Sequence, residues 1–157
     1  WPDVNHKAFK EVLAAAAKGE SPNNLSPIIK YEVQDGATAL WMGDLETEFM
    51  TTIQNELELT EVDILFPPHH GRASGQIPYT LLEQLSPKLI VIGEAPSEYL
   101  HYYDGYNTIT QNTAGDILFD CVSRKVHVFT SNVFDVEWLD YESIERVGWY
   151  YVGTLNR

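Results

Sequence analysis

The chain has 157 residues, with 10 Lys and Arg against 23 Asp and Glu, and its formal net charge is −13 at pH 7. This charge excludes a broad basic face for nucleic acid, and a phosphate-bearing substrate would need local positive charge, most simply a bound cation. The length is that of one domain or of one half of a larger one. The single cysteine, Cys121, excludes a disulfide framework and a cysteine-based zinc site.

Hydrophobic periodicity predicts an alternation of helices and strands along most of the chain. Helical spacing of apolar residues occurs in three segments, residues 6–18, 46–57 and 79–85. Short apolar or alternating runs predict six strands, at residues 25–33, 37–42, 62–66, 89–92, 116–122 and 126–130. Residues 94–115 are rich in turn formers, and no element is predicted there.

This order of elements predicts an α+β fold, a mixed sheet with flanking helices. We expect one domain over residues 1–131, followed by an aromatic tail over residues 132–157 that packs on this domain or on a partner. No apolar run reaches the ~18 residues that a membrane span needs. The chain opens with Trp1 rather than Met, so we expect a trimmed N-terminus. No signal peptide follows and cysteine is scarce, so we expect a cytoplasmic protein.

Polar side chains that can bind a metal follow two of the predicted strands. Asp44 comes after Gly43 at the end of one strand, and His69 and His70 follow the buried strand at residues 62–66. Loops beyond strand ends often build functional sites, and a carboxylate with neutral imidazoles suits Zn²⁺, Mn²⁺ or Fe²⁺. In the alternative interpretations, Asp44 caps the next helix and the histidine pair is an inert surface feature.

Three further residues near these loops have both a functional and an ordinary interpretation. Arg72 and Ser74 could bind a phosphate oxygen, or they could be plain loop residues. Asp63 stands inside an apolar strand, where it could hydrogen-bond a ligating imidazole or make a contact with a helix or loop.

Five motifs occur in a fixed order between about residues 22 and 130. They are Asn24-Leu25-Ser26, Trp41-Met42-Gly43-Asp44, the run from Val62 to Pro67-Pro68-His69-His70-Gly71, Ser86-Pro87-Lys88 with its following strand, and Thr110 to Gly115-Asp116-Ile117. This series resembles the C-terminal half of metallo-β-lactamase-fold hydrolases, above all the branch associated with DNA uptake (competence).

The resemblance implies a four-layer αβ/βα sandwich, of which this chain would be one half, with a metal site at the edge of the two sheets. It assigns Asp44 as a metal-bridging, catalytic residue and places a histidine ligand at His69 or His70. His70 is favoured because it directly precedes Gly71. Up to two Zn²⁺ or Mn²⁺ ions would generate hydroxide from bound water and neutralise charge on a phosphate oxygen.

The chain departs from the family at several positions. The histidine-rich metal motif of the family, His-x-His-x-Asp-His, is absent, and we expect a missing N-terminal half to carry it as the partner of this chain. Arg72 replaces a small residue of the family, and His101 stands where the family has a Gly-His-Pro-His segment. His101 is therefore a candidate for substrate or proton contact, with a plain surface role as its alternative.

These observations predict a metal-dependent hydrolase, phosphodiesterase- or nuclease-like, that acts on a small phosphodiester or a nucleic acid and whose C-terminal half alone is inactive. The alternative is a catalytically inactive half-fold that serves as a protein-interaction or structural module. A third hypothesis is a metal-binding protein that does not hydrolyse phosphodiesters.

Overall fold

Two sheets and four α-helices make up the computed structural model, which describes residues 1–93 and 97–157. The helices are α1 (Lys7–Ala16), α2 (Thr47–Ile53), α3 (Tyr79–Leu85) and α4 (Gln111–Ala114). The strands are β1 (Ile29–Glu32), β2 (Thr38–Trp41), β3 (Ile64–Phe66), β4 (Leu89–Ile92), β5 (Thr108–Thr110), β6 (Ile117–Val122), β7 (Lys125–Thr130) and β8 (Tyr150–Asn156). The predicted mixed sheet with helices is present, and the architecture is compatible with the predicted α+β class.

The larger sheet has five strands in the order β1-β2-β3-β4-β5. Strand β1 is antiparallel to β2, whereas β2, β3, β4 and β5 are parallel to one another. Helix α2 connects β2 to β3, and α3 connects β3 to β4. Each helix returns the chain to the end of the sheet where the previous strand began, so the next strand runs in the same direction. The carboxyl ends of the four parallel strands therefore meet at one edge.

The smaller sheet is antiparallel, in the order β6-β7-β8. Strand β8 pairs with β7 from Lys125↔Asn156 to Thr130↔Tyr150, so the last segment of the chain is a strand of this sheet. Trp138, which precedes β8 in the predicted tail, packs against the apolar cluster that contains buried residues of β7 and β8.

Alternate residues of the central strands face two different apolar layers, as the two-residue period of a strand requires. Leu40, Leu65 and Ile90 pack with the buried side chains of α2 and α3. Ala39 and Ile64 point the other way and pack with apolar side chains of β7 and β8. The larger sheet is thus covered by helices on one face and by the smaller sheet on the other.

The predicted elements agree with the structure where apolar runs are long, and they differ at several places, among them β8, which was not predicted as a strand. Helix α3 and strand β4 match their predictions residue for residue. The strand predicted at residues 25–33 begins only at Ile29, because Asn23–Leu25 forms a 3-10 turn. The segment at residues 94–115 contains β5 and α4, which were not predicted, while residues 94–96 lie outside the described parts of the chain.

Among the helices of residues 1–93 and 97–157, none combines the length and the apolar character needed to cross a membrane.

Candidate functional site

The loop after β2 holds Asp44 through contacts of its backbone. Gly43 has a φ of 57°, and a Cβ there would lie 2.5 Å from Cβ of Ser26, so the turn requires glycine. The Asp44 amide donates to Ser26 Oγ at 3.0 Å. The N-cap of α2 is Glu46, not Asp44, and in the described parts of the chain the exposed Asp44 carboxylate accepts no hydrogen bond. The backbone of this loop is fixed, and its carboxylate is open to a ligand.

The loop after β3 places two consecutive histidines in left-handed backbone conformations. His69 has φ 50° and ψ 35°, and His70 has φ 58° and ψ 17°. Such conformations cost a non-glycine residue about 1–3 kcal/mol each, and they persist only where neighbouring contacts enforce them. One such contact joins the two loops, since the His69 amide donates to the Gly43 carbonyl oxygen at 3.1 Å.

The His69 ring is held in a hydrogen-bond network. Asn23 Nδ2 lies 3.1 Å from His69 Nε2, and it also donates to Glu46 Oε1 at 3.3 Å. Asn24 adds two bonds, from Nδ2 to Glu46 Oε2 at 3.0 Å and from the Glu46 amide to Asn24 Oδ1 at 2.9 Å. Since an amide nitrogen can only donate, His69 Nε2 accepts here and its lone pair is already used.

His70 and Asp44 line the same cavity, of about 350 Å³, which we call the Asp44–His70 cavity. Its lining also includes Trp41 and Phe66, whose rings stack at 4.5 Å between centroids. Gly93 lies against the His70 ring, because a Cβ at Gly93 would be 2.8 Å from His70 Nδ1. The two residues that the sequence singled out at neighbouring strand ends therefore share one cavity.

A second cavity, of about 480 Å³, shares lining residues with the first. His70 and Gln111 line both cavities, and the second one also contains Asp116 and Ser131. The sequence did not single out Gln111 or Asp116 as site residues. Both lie in the motif from Thr110 to Ile117, which was the available signal.

The remaining predicted site residues lie outside the Asp44–His70 cavity. Arg72 is exposed, and Ser74 lines a different cavity, of about 400 Å³, together with Glu46. His101 is exposed in the 3-10 segment Ser97–Tyr103.

Asp63 forms ion pairs with basic side chains and does not contact an imidazole of any residue that the structure describes. Its carboxylate lies 3.0 Å from Lys88 Nζ and 2.9 Å from Arg157 Nε, and it accepts from the Thr38 amide at 2.8 Å. Burial raises the pKa of the Asp63 carboxyl, but hydrogen bonds from Thr38 and the Lys88 ammonium outweigh burial and hold it below its ordinary value of 3.8. Asp63 precedes β3, so it lies at the edge of the sheet opposite the histidines.

The donor atoms of the Asp44–His70 cavity fit a borderline divalent metal in kind but not in number. A carboxylate and an imidazole are suitable ligands for Zn²⁺ or Mn²⁺, yet these ions take at least four ligands. Within residues 1–93 and 97–157, no group of three or more His, Cys, Asp and Glu side chains is placed to hold a metal ion.

Fold and site together define a domain of helices and a mixed sheet, with a carboxylate and an imidazole at the carboxyl ends of its parallel strands. Neither a protein-family model nor a curated protein sequence matches the chain.

Proposed function

We propose that the chain is the C-terminal half of a metal-dependent hydrolase of the metallo-β-lactamase superfamily, phosphodiesterase- or nuclease-like. The observation that supports this most directly is the common cavity of Asp44 and His70, which follow the neighbouring parallel strands β2 and β3. Loops that follow parallel strands at one edge of a sheet are where ligands bind in open α/β sheets.

The proposed metal site is completed by another polypeptide segment. Asp44 and His70 would hold the ion, and the histidine-rich motif of a missing N-terminal half would supply the other ligands. His69 acts instead as a positioning residue, since its Nε2 is engaged by Asn23. A bound Zn²⁺ or Mn²⁺ would supply hydroxide near neutral pH and positive charge next to a phosphate.

The proposed substrate is a small phosphodiester or a short stretch of nucleic acid. A net charge of −13 opposes a long nucleic-acid footprint, because each phosphate contact needs local positive charge. The stacked rings of Trp41 and Phe66 in the cavity lining offer an apolar wall for the organic part of such a substrate.

The proposal is tested by metal content and by hydrolysis of bis(p-nitrophenyl) phosphate, measured for this chain alone and for the chain together with the protein sequence encoded upstream of it. We expect bound metal and hydrolysis only with the upstream sequence, and loss of both in Asp44→Asn. The control is Asp104→Asn, which removes an exposed carboxylate elsewhere. Tight stoichiometric metal on this chain alone, or full activity in Asp44→Asn, would contradict the proposed site.

A protein-interaction module is the second candidate function, and the edge strand β1 favours it. All four residues of β1 are exposed, and Ile29 and Tyr31 expose 52% and 58% of their surface. An exposed edge strand with apolar side chains is a template for pairing with another strand. If this candidate holds, Ile29→Lys weakens association with that partner, whereas metal removal leaves the association unchanged.

A further inference from the structure

A cavity of about 550 Å³ opens at the amino edge of the parallel strands, opposite Asp44 and His70. Four of the ten Lys and Arg residues of the chain line it, although the chain carries a net charge of −13. These four are Lys30, Lys88, Arg124 and Arg157. We call this cavity the basic pocket. Three carboxylates also line it, those of Glu32, Glu61 and Asp63, so positively charged side chains outnumber negatively charged ones by one.

Two of the cations are held in place by one buried carboxylate. Asp63, whose side chain is 6% exposed, binds Lys88 through Oδ1 and Arg157 through Oδ2. The Arg157 contact uses Nε, so the two terminal Nη groups of that guanidinium remain for a ligand. Asp63 therefore fixes the positions of the Lys88 and Arg157 side chains. Because these side chains are already ordered, less conformational entropy is lost when a ligand binds to them.

Arg124 adds a third donor beside them. It stands in the turn between β6 and β7 with a φ of 59°, and its amide donates to the Asp35 carbonyl oxygen at 3.1 Å. Its own carbonyl oxygen accepts from the Arg157 amide at 3.0 Å, which places the two arginines side by side. In the part of the chain that the structure describes, the Arg124 guanidinium has neither a hydrogen bond nor an ion pair.

We propose that the basic pocket binds the phosphate group of a small phosphorylated molecule. The planar fork of a guanidinium matches phosphate oxygens two at a time, and Arg124 and Arg157 contribute two such forks to the cavity that Lys88 also lines. The volume is larger than a phosphate ion and falls in the range of small-molecule sites. The pocket and the Asp44–His70 cavity have no lining residue in common, so this site does not depend on the proposed hydrolase function.

Isothermal titration at low salt, with adenosine 5′-monophosphate, adenosine and inorganic phosphate as probes, tests the proposal. We expect saturable binding of the monophosphate and none of adenosine, because the phosphate carries the recognition. If inorganic phosphate binds as tightly as the monophosphate, the free ion is the ligand; if it binds more weakly, the ligand is a phosphomonoester.

Arg124→Gln removes an exposed cation that makes no contacts through its guanidinium, so the variant is expected to fold. It should weaken binding about tenfold or more. Lys18→Gln is the matched control, since it removes one exposed positive charge outside the pocket and should leave affinity unchanged. The proposal is overturned if no phosphate probe binds at millimolar concentration, or if Arg124→Gln and Lys18→Gln bind equally well.

Discussion

The backbone amide of His69 donates a hydrogen bond of 3.1 Å to the carbonyl oxygen of Gly43. This bond ties the loop after β2 to the loop after β3, and the next residue in each loop, Asp44 or His70, lines the shared cavity. Because both loops leave neighbouring parallel strands, the bond fixes how far apart the carboxylate and the imidazole can move. Such preorganisation is what a metal or substrate site requires of its supporting residues.

Gly93→Ala should displace the His70 ring. A Cβ at position 93 would lie 2.8 Å from both Cβ and Nδ1 of His70, which is too close for either residue to stay in place. We expect a loss of stability of about 1–3 kcal/mol, typical of overpacking, together with changed imidazole chemical shifts of His70 in heteronuclear NMR spectra.

Gly105→Ala is the control for this change, because a Cβ there would meet no atom within 4 Å although its φ of 91° makes the substitution strained. It should lower stability without moving the His70 resonances. Unchanged His70 resonances in Gly93→Ala would show that the ring does not lie against this glycine.

His70→Ala and His69→Ala should separate a metal ligand from a positioning residue. If the proposed function holds, and with the N-terminal half that it requires present, His70→Ala should weaken Zn²⁺ binding about 100-fold or more, because a cavity-lining donor is lost. His69→Ala breaks the contact with Asn23 and should cost about 1 kcal/mol of stability, with a smaller effect on the metal. Competition with a colorimetric chelator measures the first quantity, and urea unfolding measures the second. The reverse order of metal affinities would make His69 the ligand.

Helices and strands that are marked by a local run or spacing of apolar residues were predictable from the sequence. Strand β4 is a run of four buried residues after Pro87, and α3 has helical spacing after Pro78. Strand β5 was not predictable, because only Ile109 among its three residues is buried, and its parallel pairing with β4 is a tertiary contact. The late start of β1 has a similar cause, since side-chain bonds between Asn24 and Glu46 hold a turn where propensity favours a strand.

The candidate site was partly predictable for the same reason. Asp44 and the pair His69 and His70 could be named because they stand in the loops that follow two apolar strands, and the positions of strand ends are readable from sequence. The sequence favoured His70 of the pair because it precedes Gly71, but it did not decide between the two. Gln111 and Asp116 could not, because they reach the cavities only through the position of β5 and the packing of the second sheet. The ion pair between Asp63 and Arg157 could not be predicted either, since the two residues are 94 positions apart along the chain.

Gly153→Ala should destabilise the smaller sheet. Gly153 in β8 pairs with Val128 beside a register shift in β7, and a Cβ there would lie 2.4 Å from Cβ of Leu139. Since this neighbour is held within the core, we expect a loss of about 2 kcal/mol or more in the free energy of unfolding. Thermal unfolding followed by circular dichroism measures it. Gly148→Ala, where a Cβ has no neighbour within 4 Å, should cost only about 1 kcal/mol. Equal losses in the two variants would argue against the close packing of Leu139 on β8.

Asp63→Asn should remove a pH-dependent contribution to stability. Burial raises the pKa of the Asp63 carboxyl. The hydrogen bonds from Thr38 and Lys88 lower this pKa by more than burial raises it, so the folded-state value is below 3.8. A carboxyl whose pKa is lower in the folded state stabilises the fold above its unfolded pKa of about 3.9, and this contribution disappears as pH falls through the folded-state pKa. At pH 6 we expect Asp63→Asn to lose about 2 kcal/mol, because Lys88 and Arg157 lose their common counter-ion.

Urea unfolding of the wild type and the variant from pH 7 down to pH 2 measures this contribution. The difference between the two free energies of unfolding should be constant from pH 7 to about pH 5, and it should shrink below about pH 4 as the wild-type carboxyl takes up its proton. Asp104→Asn, at an exposed position, should follow the wild type at every pH. A difference that stays constant down to pH 2 would mean that the charge of Asp63 does not stabilise the fold, and that packing of its side chain accounts for the loss.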